Sequence, residues 1–114
     1  MVTDTDQVKK GFALPAVDPR ESIVDPELMT TLSSRGIAGP GFDALAHAIG
    51  SFLSVRANPF SKLYSRQAIL WLSEGLPKVQ ASPPDLETRE RVALGSTFAA
   101  IAIGNAGCYA PPGI

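Results

Sequence analysis

From Phe42 onward the apolar positions recur at three- and four-residue steps. Phe42, Leu45, Ala46, Ile49, Phe52 and Leu53 fall on one stripe of a helix. Asn58-Pro59 then carries a helix start, with Asn at the N-cap and Pro at the first helical position. The pattern predicts a second helix reaching about Leu76, with Leu63, Tyr64, Ala68, Trp71 and Leu72 on its buried side and Pro77 as its stop. A third start stands at Pro83-Pro84-Asp85, with Asp85 as N-cap and Glu87 and Glu90 near the positive end of the helix. Val92 to Asn105 is rich in Ala, Gly and Ser, so its backbone can approach neighbours closely, which predicts the central and most buried helix. Ahead of these, residues 1–20 read as an irregular lead-in containing Pro15 and Pro19. Ser22-Ile23-Val24, stopped by Asp25-Pro26, suits the end of a strand, because a residue before proline is pushed to extended conformations. Leu28 to Arg35 is compatible with a turn of helix, and Gly36 to Gly41 (GIAGPG) reads as a loop. The predicted fold class is mainly α: three packed helices, a partial helical bundle, behind a short extended N-terminal segment.

Composition narrows this picture. The chain has 114 residues, enough for one domain and too few for two. Hydrophobic residues make up 45% and charged residues 18%, which excludes a disordered tail. Ten Gly and ten Pro predict short, punctuated elements. Ten Lys and Arg against eleven Asp and Glu give a net charge of −1, which points to no nucleic-acid partner and no anionic membrane. Val92 to Ile114 is uncharged and long enough to span a bilayer. Ser96, Thr97, Asn105 and the terminal Pro-Pro-Gly interrupt it, so a buried globular helix is the better reading. Residues 1–10 carry Asp4 and Asp6 and resemble no targeting segment, which suits a cytoplasmic or mitochondrial-matrix protein. The single Cys108 excludes an internal disulfide framework. The single His47 means that this chain cannot complete a metal site that needs two histidines.

One constellation carries chemical weight. Asp43 and His47 stand four residues apart, so on a helix both side chains leave the same face, following what reads as a glycine-rich loop. A carboxylate and an imidazole so placed can share one divalent cation. The same spacing equally suits an ordinary helix-surface ion pair. Gly36, Gly39 and Gly41 lack the Lys-Ser/Thr of a phosphate-binding loop and read as a plain turn. Cys108 has no cationic neighbour in sequence and reads as a buried, inert thiol. Tyr64 and Trp71 read as core, and Arg89 and Arg91 as a solvated face paired with Glu87 or Glu90.

Several segments together resemble the iron-type (group III) alcohol dehydrogenases, of the dehydroquinate-synthase-like fold. SIVDPELMTTLSSR resembles the passage from that family's nucleotide-binding domain into its helical domain. GPGFDALAHAIGSFLS resembles its G-x-D-A-L-x-H-A-x-E helix. ANPFSKLYSRQAILWLSEGLPKV and DLETRERVALGSTFAAIAIGNAG resemble the next two helices, the last ending in Asn-Ala-Gly. Gly-Phe-Asp together with the later Gly-Asn-Ala-Gly looks most similar to the hydroxyacid–oxoacid transhydrogenase branch. The resemblance divides the chain into a lead-in at 1–21, a partial helical metal-binding domain at 22–107 and a divergent tail at 108–114.

In that family an Asp and three His hold a divalent metal, usually iron and sometimes zinc, while NAD(P) exchanges hydride with an alcohol or 2-hydroxy acid. Residue-by-residue matching implies that Asp43 and His47 are the first two metal ligands. The third, a His, falls at Pro112, which is followed by a retained Gly113; the fourth would lie beyond Ile114. The glycine-rich pyrophosphate loop would precede residue 20, and Gly50 stands where the family often has Glu. The chain is therefore expected to be a piece of an oxidoreductase, with weak or no metal binding and no dehydrogenase activity alone. The alternative is a non-catalytic helical module that binds a full-length dehydrogenase subunit or another protein.

Overall fold

The computed structural model describes residues 2–3, 5–7, 9–10, 16, 18–81 and 84–107. Its body is three helices: α1 (Ser34–Leu53), α2 (Pro59–Ala81) and α3 (Leu86–Ala106). A 3-10 helix at Pro26–Met29 precedes them. A small antiparallel ladder pairs β1 (Val2–Thr3) with β2 (Lys9–Lys10), matching Val2 to Lys10 and Thr3 to Lys9. This ladder lies in the segment whose composition predicts irregular structure. Residues 21–25 form no strand, although the Asp25 backbone, at φ −116° and ψ 106°, is extended. Among the described residues no helix is long and apolar enough to cross a membrane. Cys108, Pro112 and Gly113 lie outside the described residues, as does Pro83 of the third start signal.

The caps legible in the sequence do form. Asn58 Oδ1 accepts from the Ser61 N–H at 2.9 Å while the Asn58 N–H donates to Ser61 Oγ at 3.0 Å, a reciprocal closure of the α2 N-terminus. Asp85 Oδ1 accepts from the Thr88 N–H at 2.8 Å and starts α3. Gly107 ends α3 at φ +66°, where a side chain would be strained.

The helices are nevertheless long, at 20, 23 and 21 residues, and not short and punctuated. Gly36 to Gly41 is helical: Ser33 caps the Gly36 N–H at 3.1 Å, and α1 runs through Pro40. Likewise α2 continues past Pro77 to Ala81. An internal proline costs roughly 3 kcal/mol, and packing offsets it at both places. Ile37, Ala38 and Gly41 are buried in the first turns of α1, and Leu76 and Val79 in the last turns of α2. A Cβ placed on Gly41 would lie 2.5 Å from Leu76 Cδ2, so glycine is what lets these two ends meet.

Gly41 also faces Val92 at the start of α3, while Ser54 Oγ, just beyond α1, donates to the Ala106 carbonyl at 2.7 Å. The helices therefore run up, down and up, with α1 and α3 parallel. The core lies along the common axis around Ile37, Ala48, Ala68, Leu72, Val92 and Ala99.

Most of the α1 stripe is turned away from that core, although half-buried Leu45 packs against it. The face of α1 that meets its sisters is Ile37, Ala38, Gly41, Ala44, Ala48 and Ser51, whereas Phe42, Ile49, Phe52 and Leu53 are exposed and Ala46 with them. Small residues face inward because the helix axes lie too close for large ones. Leu63 of α2, also expected inside, is exposed; Ala68 and Leu72 are fully buried, and Tyr64 and Trp71 are half-buried around Phe98 of α3. α3 fulfils its expected place: Gly95, Ala99, Ala102 and Ala106 are all buried.

The Asp85 cap has a consequence for pH. The hydrogen bond from the Thr88 side chain, and then that from the Thr88 N–H, hold the Asp85 carboxyl below its ordinary value of 3.8. A depressed carboxyl contributes stability above its unfolded value and loses it as pH falls through the folded one. Acidification below about pH 4 is therefore expected to release the first turn of α3, seen as an upfield move of the Thr88 amide proton. Asp85→Asn, which caps without titrating, should abolish that movement; an unchanged acid transition in this variant would refute the assignment.

Candidate metal centre

Asp43 and His47 stand in the middle of α1, since the helix begins at Ser34 and includes the glycines that were expected to precede it as a loop. At 3.6 residues per turn the pair projects from the side of α1 turned away from the small-residue face. His47 Nε2 lies 3.2 Å from Asp43 Oδ2, with side chains 44% and 72% exposed. One turn earlier, a Cβ added at Gly39 would meet nothing within 4 Å, so the surface beside the carboxylate is open.

This geometry suits a shared cation. Two donors bound to one ion at about 2.1 Å each stand roughly 3.0–3.4 Å apart at octahedral to tetrahedral angles, and 3.2 Å lies in that range. The donor set is also chemically apt, since imidazole and carboxylate are both ligands of iron and zinc. Among the described residues no group of three His, Cys, Asp or Glu converges, so the pair supplies two donors and the described residues complete no further coordination.

The remaining sequence-level candidates resolve differently. The Gly36–Gly41 segment cradles nothing, because its backbone is committed to α1. Arg91 is on a solvated face as expected, paired with Glu87 at 3.2 Å and with Glu74 of α2 at 2.5 Å. Arg89 is not. It is 7% exposed, and its Nε donates to the Pro84 carbonyl at 3.1 Å while Nη1 donates to the Met29 carbonyl and, at 3.4 Å, to that of Leu32. Arg89 thus ties the 3-10 segment to the start of α3. A signal for this was available, because Arg89 precedes Val92 by three residues and so shares its buried face.

Comparison with known proteins places these features. The family profile described as Fe-containing alcohol dehydrogenase family, C-terminal, matches residues 37–110. The NAD-dependent methanol dehydrogenase of Bacillus methanolicus is 36% identical over 107 residues, covering 90% of this chain and 28% of that protein. The mitochondrial hydroxyacid-oxoacid transhydrogenase of Mus musculus is 30% identical over 122 residues, covering 90% and 26%. Long-chain-alcohol dehydrogenase 1 of Geobacillus thermodenitrificans (strain NG80-2) is 40% identical over 105 residues, covering 92% and 26%. The solved iron-containing alcohol dehydrogenase from Thermococcus thioreducens matches with a TM-score of 0.77 and 33% identity, over 83% of this chain and 25% of that one. The chain spans about a quarter of the length of each of these relatives.

Proposed function

The chain belongs to the Fe-containing alcohol dehydrogenase family, and from that premise we propose that Asp43 and His47 are two ligands of the divalent metal, iron or zinc, of an NAD(P)-linked oxidoreductase acting on an alcohol or 2-hydroxy acid. The observation that carries this reading is the pair itself: an imidazole nitrogen and a carboxylate oxygen 3.2 Å apart on an accessible face of the family's helix. When bound, such a metal supplies Lewis-acid polarisation of the alcohol or carbonyl oxygen, and the nicotinamide takes or gives hydride.

What the chain's own residues do is hold and orient. α1 fixes Asp43 and His47 one turn apart, and burial of Ala44 and Ala48 beside them locks the helix against rotation. Ser33 and Ser54 anchor its ends through the Gly36 N–H and the Ala106 carbonyl, so the two donors sit on a rigid element. Two protein donors bind a divalent ion weakly, and the nucleotide site of the relatives' longer chains is not supplied by the helices. The 114-residue chain alone is therefore proposed to be inactive.

Titration of the isotope-labelled chain with Co²⁺ tests the assignment without needing activity. Paramagnetic broadening is expected to centre on residues 43–47 and to weaken at least tenfold in apparent affinity in His47→Ala. Broadening centred elsewhere, or unaltered by that substitution, would remove His47 from the ligand set. Turnover of NAD(P)H by the purified chain, lost in His47→Ala, would refute its inactivity.

A further inference from the structure

Polar side chains gather at the end of the bundle where α1 turns into α2. Ser54 Oγ donates to the Ala106 carbonyl at 2.7 Å and accepts from the Arg56 N–H at 3.2 Å. Ser61 Oγ accepts from the Asn58 N–H at 3.0 Å and donates to the Asn58 carbonyl at 3.1 Å. One layer further into the bundle stand Ser51 and Ser65. Both are fully buried, and among the described residues neither hydroxyl has a hydrogen-bond partner. A hydroxyl taken out of water without a partner is costly, so this pair asks for something to bond.

The register of the helices sets the two hydroxyls at one height. Gly41 of α1 meets Leu76 of α2. Ser51 lies ten residues beyond Gly41 and Ser65 eleven before Leu76, about 15–17 Å along antiparallel axes. Gly95 of α3 meets Leu72 of α2, and Ala102 and Ser65 each lie seven residues on from that contact in the same direction. The layer is therefore Ser51, Ser65 and Ala102, all fully buried, with no side chain that reaches past its γ atom. Toward the other end of the bundle the core is filled by Leu72 and Leu76. Neither serine bonds back to its own helix, as Thr97 does in donating to the Ala93 carbonyl at 2.9 Å. Two hydroxyls in one small-residue layer, satisfied neither by each other nor by their own backbones, call for a third polar group between them.

We propose that Ser51, Ser65 and Ala102 enclose a binding site for one internal water molecule, which bridges α1 to α2 through hydrogen bonds to Ser51 Oγ and Ser65 Oγ. Water suits the layer because it both donates and accepts, so it serves two hydroxyls at once. It needs only the space of about one probe sphere and two to four polar partners. A metal ion does not suit it, since two neutral hydroxyls bring no charge to offset one. Ser51 follows His47 by one turn, so the bridge fastens the last turns of α1 to α2. The proposal does not rest on the metal assignment.

The test uses the 114-residue chain and magnetic relaxation dispersion of the water oxygen, which detects water held longer than the protein tumbles and is blind to exchanging hydroxyl protons. The dispersion amplitude is expected to fall by one long-lived water in Ser51→Ala/Ser65→Ala. The urea midpoint gives a second reading. Ser51→Ala and Ser65→Ala singly are each expected to lower it, because the remaining hydroxyl and the water lose a partner. The double variant, with no hydroxyl left in the layer, should recover most of that loss. Alanine favours a helix at both positions, and circular dichroism checks that each variant remains helical. The proposal is overturned if wild type and double variant show the same dispersion amplitude. It is equally overturned if the single losses add in the double variant, or if either single variant raises the midpoint.

Discussion

Replacing Gly95 with valine is expected to lower the stability of the chain by about 3 kcal/mol, read as a reduced urea midpoint. A Cβ built on Gly95 lies 2.8 Å from Leu72 Cγ, 3.1 Å from Leu72 Cδ2 and 3.5 Å from the Leu72 backbone nitrogen. The nearest atom is the branch point of a fully buried side chain, not a free end, so it has nowhere to swing. α2 and α3 must move apart instead, and their separation weakens the neighbouring Trp71–Phe98 contact, with ring centroids 4.9 Å apart. Alanine should be milder than valine, because the gain in helix propensity of about 1 kcal/mol partly offsets the crowding.

The steric origin can be isolated by a cycle. Leu72→Ala alone is expected to cost about 3 kcal/mol through lost burial and the space it leaves. In the double variant the valine occupies part of that space, so the combined loss should fall short of the sum by at least about 1 kcal/mol. Simple additivity would show that Gly95 is not there to admit Leu72.

Arg89→Met is expected to cost about 2 kcal/mol, since hydrogen bonds from a charged donor contribute roughly 1.5–3 kcal/mol. Methionine approximates the arginine stem but donates to none of the carbonyls of Met29, Leu32 and Pro84. The loss should be uneven. Amide protection should fall first from the 3-10 helix to the first turn of α1, because Arg89 is what fastens that segment to α3. Lysine should recover only part, as one ammonium does not reproduce a planar fork reaching three acceptors. Stability unchanged in both variants, with protection of residues 26–37 intact, would show the clamp to be incidental.

The placing of Asp43 and His47 on one face of a helix was the most legible part of the molecule. Their spacing of four residues needs only a helix, and the helix around them is encoded by Phe42 to Leu53 at three- and four-residue steps. The caps at Asn58 and Asp85 were legible for the same reason, since each is closed by a residue three positions on. Arg89 was misjudged because charge outweighed position: arginine is rarely buried, yet its register with Val92 places it inside.

The sequence by itself determined that this is a mainly helical chain, where α2 and α3 begin, and which two side chains share a face of α1. Those properties are local, fixed by groups three or four residues apart. Tertiary structure alone decided that α1 and α2 continue through Pro40 and Pro77, and that α1 turns Ala38, Gly41, Ala44 and Ala48 inward while Phe42, Ile49 and Leu53 face out. The physical reason is that an apolar stripe states how much surface a helix must cover, not which neighbour covers it. That choice belongs to the distance between helix axes, and here Gly41 against Leu76 and Gly95 against Leu72 make the distance too short for anything larger.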